Sequence, residues 1–143
     1  MTSTLDFSSL RLAVTRLSES VATASDSRWM EAQTSAVRNV VLAGVIQNFE
    51  FVYELSVRMI RRQLEQEAAS PEEVDASSFR QLLRAAAERG LVEDVEAWFG
   101  YRQMRNLTSH AYDQAKAMEV WAGVPSFLAE SERLLDALQS REP

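Results

Sequence analysis

Cysteine is absent from this 143-residue chain, which removes a disulfide framework, a Cys-ligated zinc site and a thiol nucleophile together. A single histidine, His110, rules out a multi-His metal site within one chain. No Asp/Glu cluster marks a Mg²⁺ site either, so neither a metal nor a cofactor is expected. Glycine and proline are scarce, at 4 and 3 residues, which leaves few turn signals. No alternating β-branched run is bounded by turn residues, so a strand-rich fold is excluded. Basic charge is short as well: 15 Lys and Arg face 21 Asp and Glu, for a net charge of −6. Broad electrostatic binding of nucleic acid needs the opposite balance, and DNA is not an expected partner. The stretch Met1-Thr2-Ser3-Thr4-Leu5-Asp6 has neither the basic start nor the apolar core of a signal peptide. Uninterrupted apolar runs are too short for a bilayer, so no membrane partner is expected, and a cytoplasmic location fits the missing cysteine.

What remains is the composition of a globular protein, 46% hydrophobic and 25% charged, long enough to bury a core as one domain over 1–143. Apolar residues recur at the helical period in five segments. The first spans Phe7 to Ala22, with Leu10, Val14, Leu17 and Val21 on one face, and breaks in the capping-rich run Thr23 to Ser27. A long second helix starts at Arg28 or Ser35 and reaches Gln66, with Leu42, Val45, Phe49, Val52, Met59 and Ile60 as its buried stripe. Phe51 and Tyr53 read as packing residues of the same helix. Gly44 lies inside that stripe, where close approach of another backbone is the usual reason for a glycine. Its opposite face interleaves Glu50, Glu54 and Glu65 with Arg58, Arg61 and Arg62, Glu54→Arg58 and Arg61→Glu65 being in i,i+4 register.

Ser70-Pro71 opens a short turn, and Ser77-Ser78 offers an N-cap for a third helix from Phe79 to Arg89 that stops at Gly90. A fourth runs from Asp94 to Ser109 or beyond. A fifth, from Gln114 to Leu138, is expected to kink or divide near Gly123-Val124-Pro125. Short connections favour an all-α, antiparallel up-and-down bundle of four to five helices. Trp29, Trp98 and Trp121 read as core or interface anchors.

The segment with chemistry in it is Arg105-Asn106-Leu107-Thr108-Ser109-His110-Ala111-Tyr112. At about 100° per residue, Ala97, Tyr101, Met104, Leu107, Thr108 and Ala111 make one apolar face. Arg105 and Tyr112 share one flank, whereas Asn106 and His110 lie together on the far side. Arg105 and His110 are then about 140° apart, so a straight helix cannot bring them to one small ligand. Either the helix ends or distorts near Thr108, or a second chain completes the site; the dimer is the expected answer. The residue types suit phosphodiester chemistry. Histidine exchanges protons near neutral pH, arginine stabilises charge developing on a phosphate, and Asn106 can support the imidazole. An RNA substrate would bring its own 2′-hydroxyl nucleophile. By itself an Arg and a His at this spacing more often form an ion pair and a helix-end histidine.

The wider sequence adds a resemblance. The same run is similar to the Arg-x4-His-x-Tyr motif of HEPN proteins, and in particular to the nucleotidyltransferase substrate-binding family that includes HepT-type toxins. Gly44 to Leu55, Arg61 to Glu65, Ala86 to Val92 and Glu96-Ala97-Trp98 resemble further stretches of that family, with order and spacing kept. Tyr53, Val57 and the length of 66–78 depart from its pattern. The resemblance implies a HEPN-type helical homodimer with Arg105 and His110 at a cleft on the dimer interface. It implies metal-independent endoribonuclease activity in the family's toxins, with Arg105 and His110 as the catalytic pair; Asn106 joins them here as the supporting polar group. It implies a separately encoded minimal nucleotidyltransferase as antitoxin, with AMP transfer to Tyr112 as regulation. A non-catalytic substrate-binding or regulatory subunit of a nucleotidyltransferase is the alternative on the same fold. Arg58, Arg61, Arg62 and Arg102 are weaker RNA-binding candidates, since a solvated, salt-bridged face explains them equally well. Glu50 and Glu54 are candidates for a second acid near His110, with surface pairing the plainer reading.

Overall fold

The computed structural model describes residues 5–141, and among them the regular structure is entirely helical. The elements are α1 (Ser8–Ser25), α2 (Ser27–Glu31), α3 (Ser35–Glu67), α4 (Pro71–Asp75), α5 (Phe79–Glu88), α6 (Val95–Leu107), a 3₁₀ turn (Thr108–His110) and α7 (Gln114–Gln139). Capping side chains set many of these boundaries. Asp26 accepts from Trp29 N at 3.0 Å and starts α2. Thr34 Oγ1 accepts from Val37 N at 3.2 Å and starts α3, so the long helix begins at Ser35 rather than at Arg28. Ser78 and Gln81 form a reciprocal capping box on α5, and Gly90, at φ 77°, supplies the left-handed residue that turns the chain out of it.

Side-chain pairings give the helix directions. The α1 end at Val21 and Ala24 faces Leu42 and Val45 of α3, and its start at Ser9 and Leu12 faces Leu55 and Arg58; the two are antiparallel. Along α7, Trp98 meets Glu130, Tyr101 meets Ser126 and Met104 meets Gly123, so α6 and α7 are antiparallel too. Trp121 Nε1 donates to Leu42 O at one end of α3, while Arg141 reaches Glu67 at the other, which makes α3 and α7 parallel. The long helices therefore alternate in direction as expected for an up-and-down bundle. Four aromatic rings occupy the centre: Phe127 packs edge-on against Phe49 and Tyr101 at 4.8 and 5.0 Å, and Trp98 against Tyr101 at 5.5 Å.

Several expectations need correction. α6 stops at Leu107 and does not continue through Ser109 as an α-helix. α7 is one helix through Pro125, not two; Pro125 lies on its exposed side and costs one hydrogen bond without ending the ladder. Gly44 is approached by nothing, since a Cβ there would meet no atom within 4 Å. Phe51 is not a packing residue of the core but 49% exposed. α3 is long and apolar enough, by length and composition, to cross a membrane, although no uninterrupted apolar run indicates it. Here Phe49, Val52 and Ile60 of that helix are fully covered by the other helices.

Candidate functional site

The motif straddles the end of α6, where two hydroxyl groups bond back to the last turn. Thr108 Oγ1 donates to Arg105 O at 2.6 Å, and Ser109 Oγ donates to Asn106 O at 2.9 Å. Such bonds are compatible with a continuing helix, as Ser131 on Leu128 O within α7 shows, so they accompany the break rather than cause it. The chain tightens into the 3₁₀ turn, and Asp113 then caps α7 by accepting from Ala115 N at 3.0 Å. Of the two ways to join Arg105 and His110, the helix break is therefore real.

The break alone does not join them. Arg105 turns towards α3, where its Nε and Nη2 donate to Glu54 Oε1 at 3.1 and 2.7 Å. Its Nη1 donates to Thr108 Oγ1 at 2.9 Å and lies 3.5 Å from Glu50 Oε2. The Arg105 side chain is 30% exposed. Its pKa is raised above the ordinary value, first by the hydrogen bond to Glu54 and then, against the cost of burial, by the charges of Glu50 and Glu54. His110 is exposed, and its ring meets the Tyr112 ring edge-on at 6.1 Å. Tyr112 itself is 87% exposed. The helical wheel, which groups Tyr112 with Arg105, misplaces it, because the tighter 3₁₀ turn changes the rotation per residue. Asn106 is exposed, as are Arg58, Arg62 and Arg102.

The remaining arginines have separate employments. Arg61 Nη1 donates to Val74 O at 3.0 Å and holds α4 against α3. Arg102 stacks its guanidinium 4.6 Å from the centre of the Phe79 ring, and Arg80 does the same on Phe99 at 4.4 Å. Arg58 lines the groove between α1 and α3 beside Phe51. Glu54 faces Arg105 rather than its i,i+4 neighbour Arg58. The spacing of Glu50 and Glu54 on one face of α3 is the signal from which a shared cationic partner can be read. Tyr53, buried beside them, has its phenol pKa pushed up by burial. Beside the Arg105 pair, α3, the 3₁₀ turn and the start of α7 enclose a groove of about 340 Å³ that has Glu50 and Thr108 at one end and Trp121 at the other. Among the described residues, no group of three or more His, Asp or Glu is placed to hold a metal ion.

Residues 5–140 match the family described as nucleotidyltransferase substrate binding protein like. The chain belongs to this nucleotidyltransferase substrate-binding family. Within it, the chain is similar to the Haemophilus influenzae protein named "Probable ribonuclease HepT", with 45% identity over 141 residues, 99% of this chain and 97% of that one. A solved H. influenzae structure, described as revealing the fold of a substrate binding domain of a nucleotidyltransferase, superposes with a TM-score of 0.90 at 45% identity and covers 94% of this chain and 99% of its own. A Thermus thermophilus crystal structure shares the fold, with a TM-score of 0.61 at 23% identity over 85% of this chain and 98% of that chain. The H. influenzae structure's architecture is thus the architecture described above, in which this chain's run from Arg105 to Tyr112 spans the break after α6.

Proposed function

We propose that this chain is a HEPN-type, metal-independent endoribonuclease toxin that acts as a homodimer and is neutralised by a separately encoded minimal nucleotidyltransferase. The observation that carries the reading is the helix break at Thr108, which leaves His110 exposed at the surface while a charged arginine stays anchored one turn earlier. The name of the H. influenzae relative supports ribonuclease chemistry.

In this reading Arg105 binds the scissile phosphate of RNA and offsets the charge that builds on its oxygens. Attack by the neighbouring 2′-oxygen forms a new O–P bond, breaks the bond from phosphorus to the 5′-oxygen and leaves a 2′,3′-cyclic phosphate. A proton leaves the 2′-hydroxyl and another arrives on the 5′-oxygen, and one His110 from each subunit handles one transfer. Asn106 supports the phosphate or imidazole from the same turn. Tyr112, in ring contact with His110, is the site where an adenylyl group would cover the imidazole and silence it. Purified wild type, His110→Ala and Arg105→Ala proteins incubated with total RNA test the proposal; equal cleavage by all three rejects it. The second reading, a non-catalytic substrate-binding subunit, has the description of the 0.90 TM-score structure in its favour. It predicts that none of the three cleaves RNA.

A further inference from the structure

The groove beside Arg105 has a chemistry of its own. Glu50 is its one charged lining residue, and no lysine or arginine lines it, so it repels phosphate while Arg105 outside attracts it. Its walls bring three exposed amides together, Asn39 and Gln47 from α3 and Gln114 from the first turn of α7. Each amide offers a donor and an acceptor side by side, the pattern that matches the edge of a nucleobase. Trp121, half-buried, also lines the groove, and its indole is fixed by its hydrogen bond to Leu42 O at 3.3 Å, which places an aromatic ring where a base could stack. About 340 Å³ is within the range of small-ligand pockets, roughly 300–1,000 Å³.

From this arrangement the geometry points to a nucleobase subsite: the groove takes the base of the nucleotide next to the phosphate held by Arg105. The subsite rests on the proposal that the motif faces RNA and adds to it a base preference. Continuity with the phosphate site comes through shared residues. Thr108 and Glu50 both line the groove, and both contact Arg105 Nη1, at 2.9 and 3.5 Å. A carboxylate acceptor at the groove mouth favours bases that donate from an exocyclic amino group, as cytosine, adenine and guanine do. Uracil has no such group: its single donor on that edge, N3–H, lies between two carbonyl oxygens that the carboxylate repels, so it is the least favoured base.

The test uses the His110→Ala protein and tetranucleotides with 2′-O-methyl sugars, which lack the attacking hydroxyl, varied at one base. Calorimetric titration is expected to show amino-bearing bases bound at least about five-fold more tightly than uracil. Gln47→Ala and Gln114→Ala, checked for folding by circular dichroism, should each shrink that ratio towards unity. Free adenosine, cytidine and uridine should keep the order but bind much more weakly, because they lack the phosphate. Equal affinity for all bases overturns the subsite, as does a preference that survives both substitutions. Free nucleosides binding as tightly as the tetranucleotides would overturn its assignment to an RNA strand. A groove substitution that turns a dimer into a monomer in sedimentation would show that a second copy fills the groove, and would also overturn it. These readouts do not need cleavage. A base preference without RNA cleavage by wild type would sink the ribonuclease proposal and leave the subsite standing, and His110-dependent cleavage without a preference would do the reverse.

Discussion

Between Val95 and Tyr101, α6 is clamped by the interior: Trp98 is fully buried, its indole donates to the buried carboxylate of Glu130 at 3.4 Å, and Tyr101 closes the aromatic cluster. Between Arg105 and Tyr112 the same stretch of chain is held by charge and by local hydroxyl bonds, and its reactive side chains face outward. One half is specified by shape, where packing leaves a single arrangement. The other is specified by a few polar contacts, which are individually weak at partly exposed positions. A fixed helix thus carries a motif in which Arg105 is held by Glu54 and Thr108 while Asn106, His110 and Tyr112 stay exposed to a ligand or a second subunit.

The largest break in that comparison should come from the interior half. Trp98→Ala removes the biggest fully buried side chain and takes the indole donor from Glu130, leaving that carboxylate only its pairing with Arg133, and should cost about 3–5 kcal/mol in urea unfolding; a loss below about 1 kcal/mol would mean that α6 is not clamped as described. Substitutions in the outer half should do the opposite. His110→Ala should lower RNA cleavage by about 10²–10⁴-fold with a change in unfolding free energy within about 0.5 kcal/mol, and Arg105→Ala should lower it by about 10²–10³-fold with a loss of about 1 kcal/mol from its partly exposed ion pairs. A large loss of stability in either would assign the motif to structure.

Glu54→Gln sharpens the picture at intermediate scale. If the carboxylate competes with phosphate for Arg105, affinity for a 2′-O-methyl oligonucleotide should rise by up to about five-fold, the worth of a partly exposed ion pair. Weaker binding would show instead that Glu54 aims the guanidinium. Smallest of all is Gly44→Ala. With open space around the new methyl group, helix propensity alone should stabilise the fold by roughly 0.5–1 kcal/mol. Destabilisation, or a fall in association measured by sedimentation, would reveal a neighbour at that face.

Periodicity made the helices legible, because Leu10, Val14 and Leu17, or Phe49, Val52 and Ile60, bury on the face their spacing marks. It failed after the motif helix. The end of α6 at Leu107 and the 3₁₀ turn after it leave the apolar wheel unbroken, so periodicity alone does not register them. Phe51 and Gly44 failed for another reason: a helix pattern says which residues share a face, but not whether any element lies against it. For the site, the sequence marks Arg105, His110 and Tyr112 together. That Arg105 pairs with Glu54 across the bundle is a tertiary fact, fixed by the docking of α6 on α3. Likewise the packing of α4 on α3 commits Arg61 to Val74 O, and that of α5 against α6 commits Arg102 to the Phe79 ring.

The buried indole of Trp98 also works as a gauge. It sits fully buried against a carboxylate, whereas Trp29 lies at the surface and Trp121 half-way between. Replacing Trp29 and Trp121 by phenylalanine would leave one fluorophore whose emission colour reads whether α6 is seated. A shift to longer wavelength would mark the moment the indole meets water. The seating of the motif helix could then be followed while RNA or a partner protein is added, and separated optically from whatever happens at the exposed histidine.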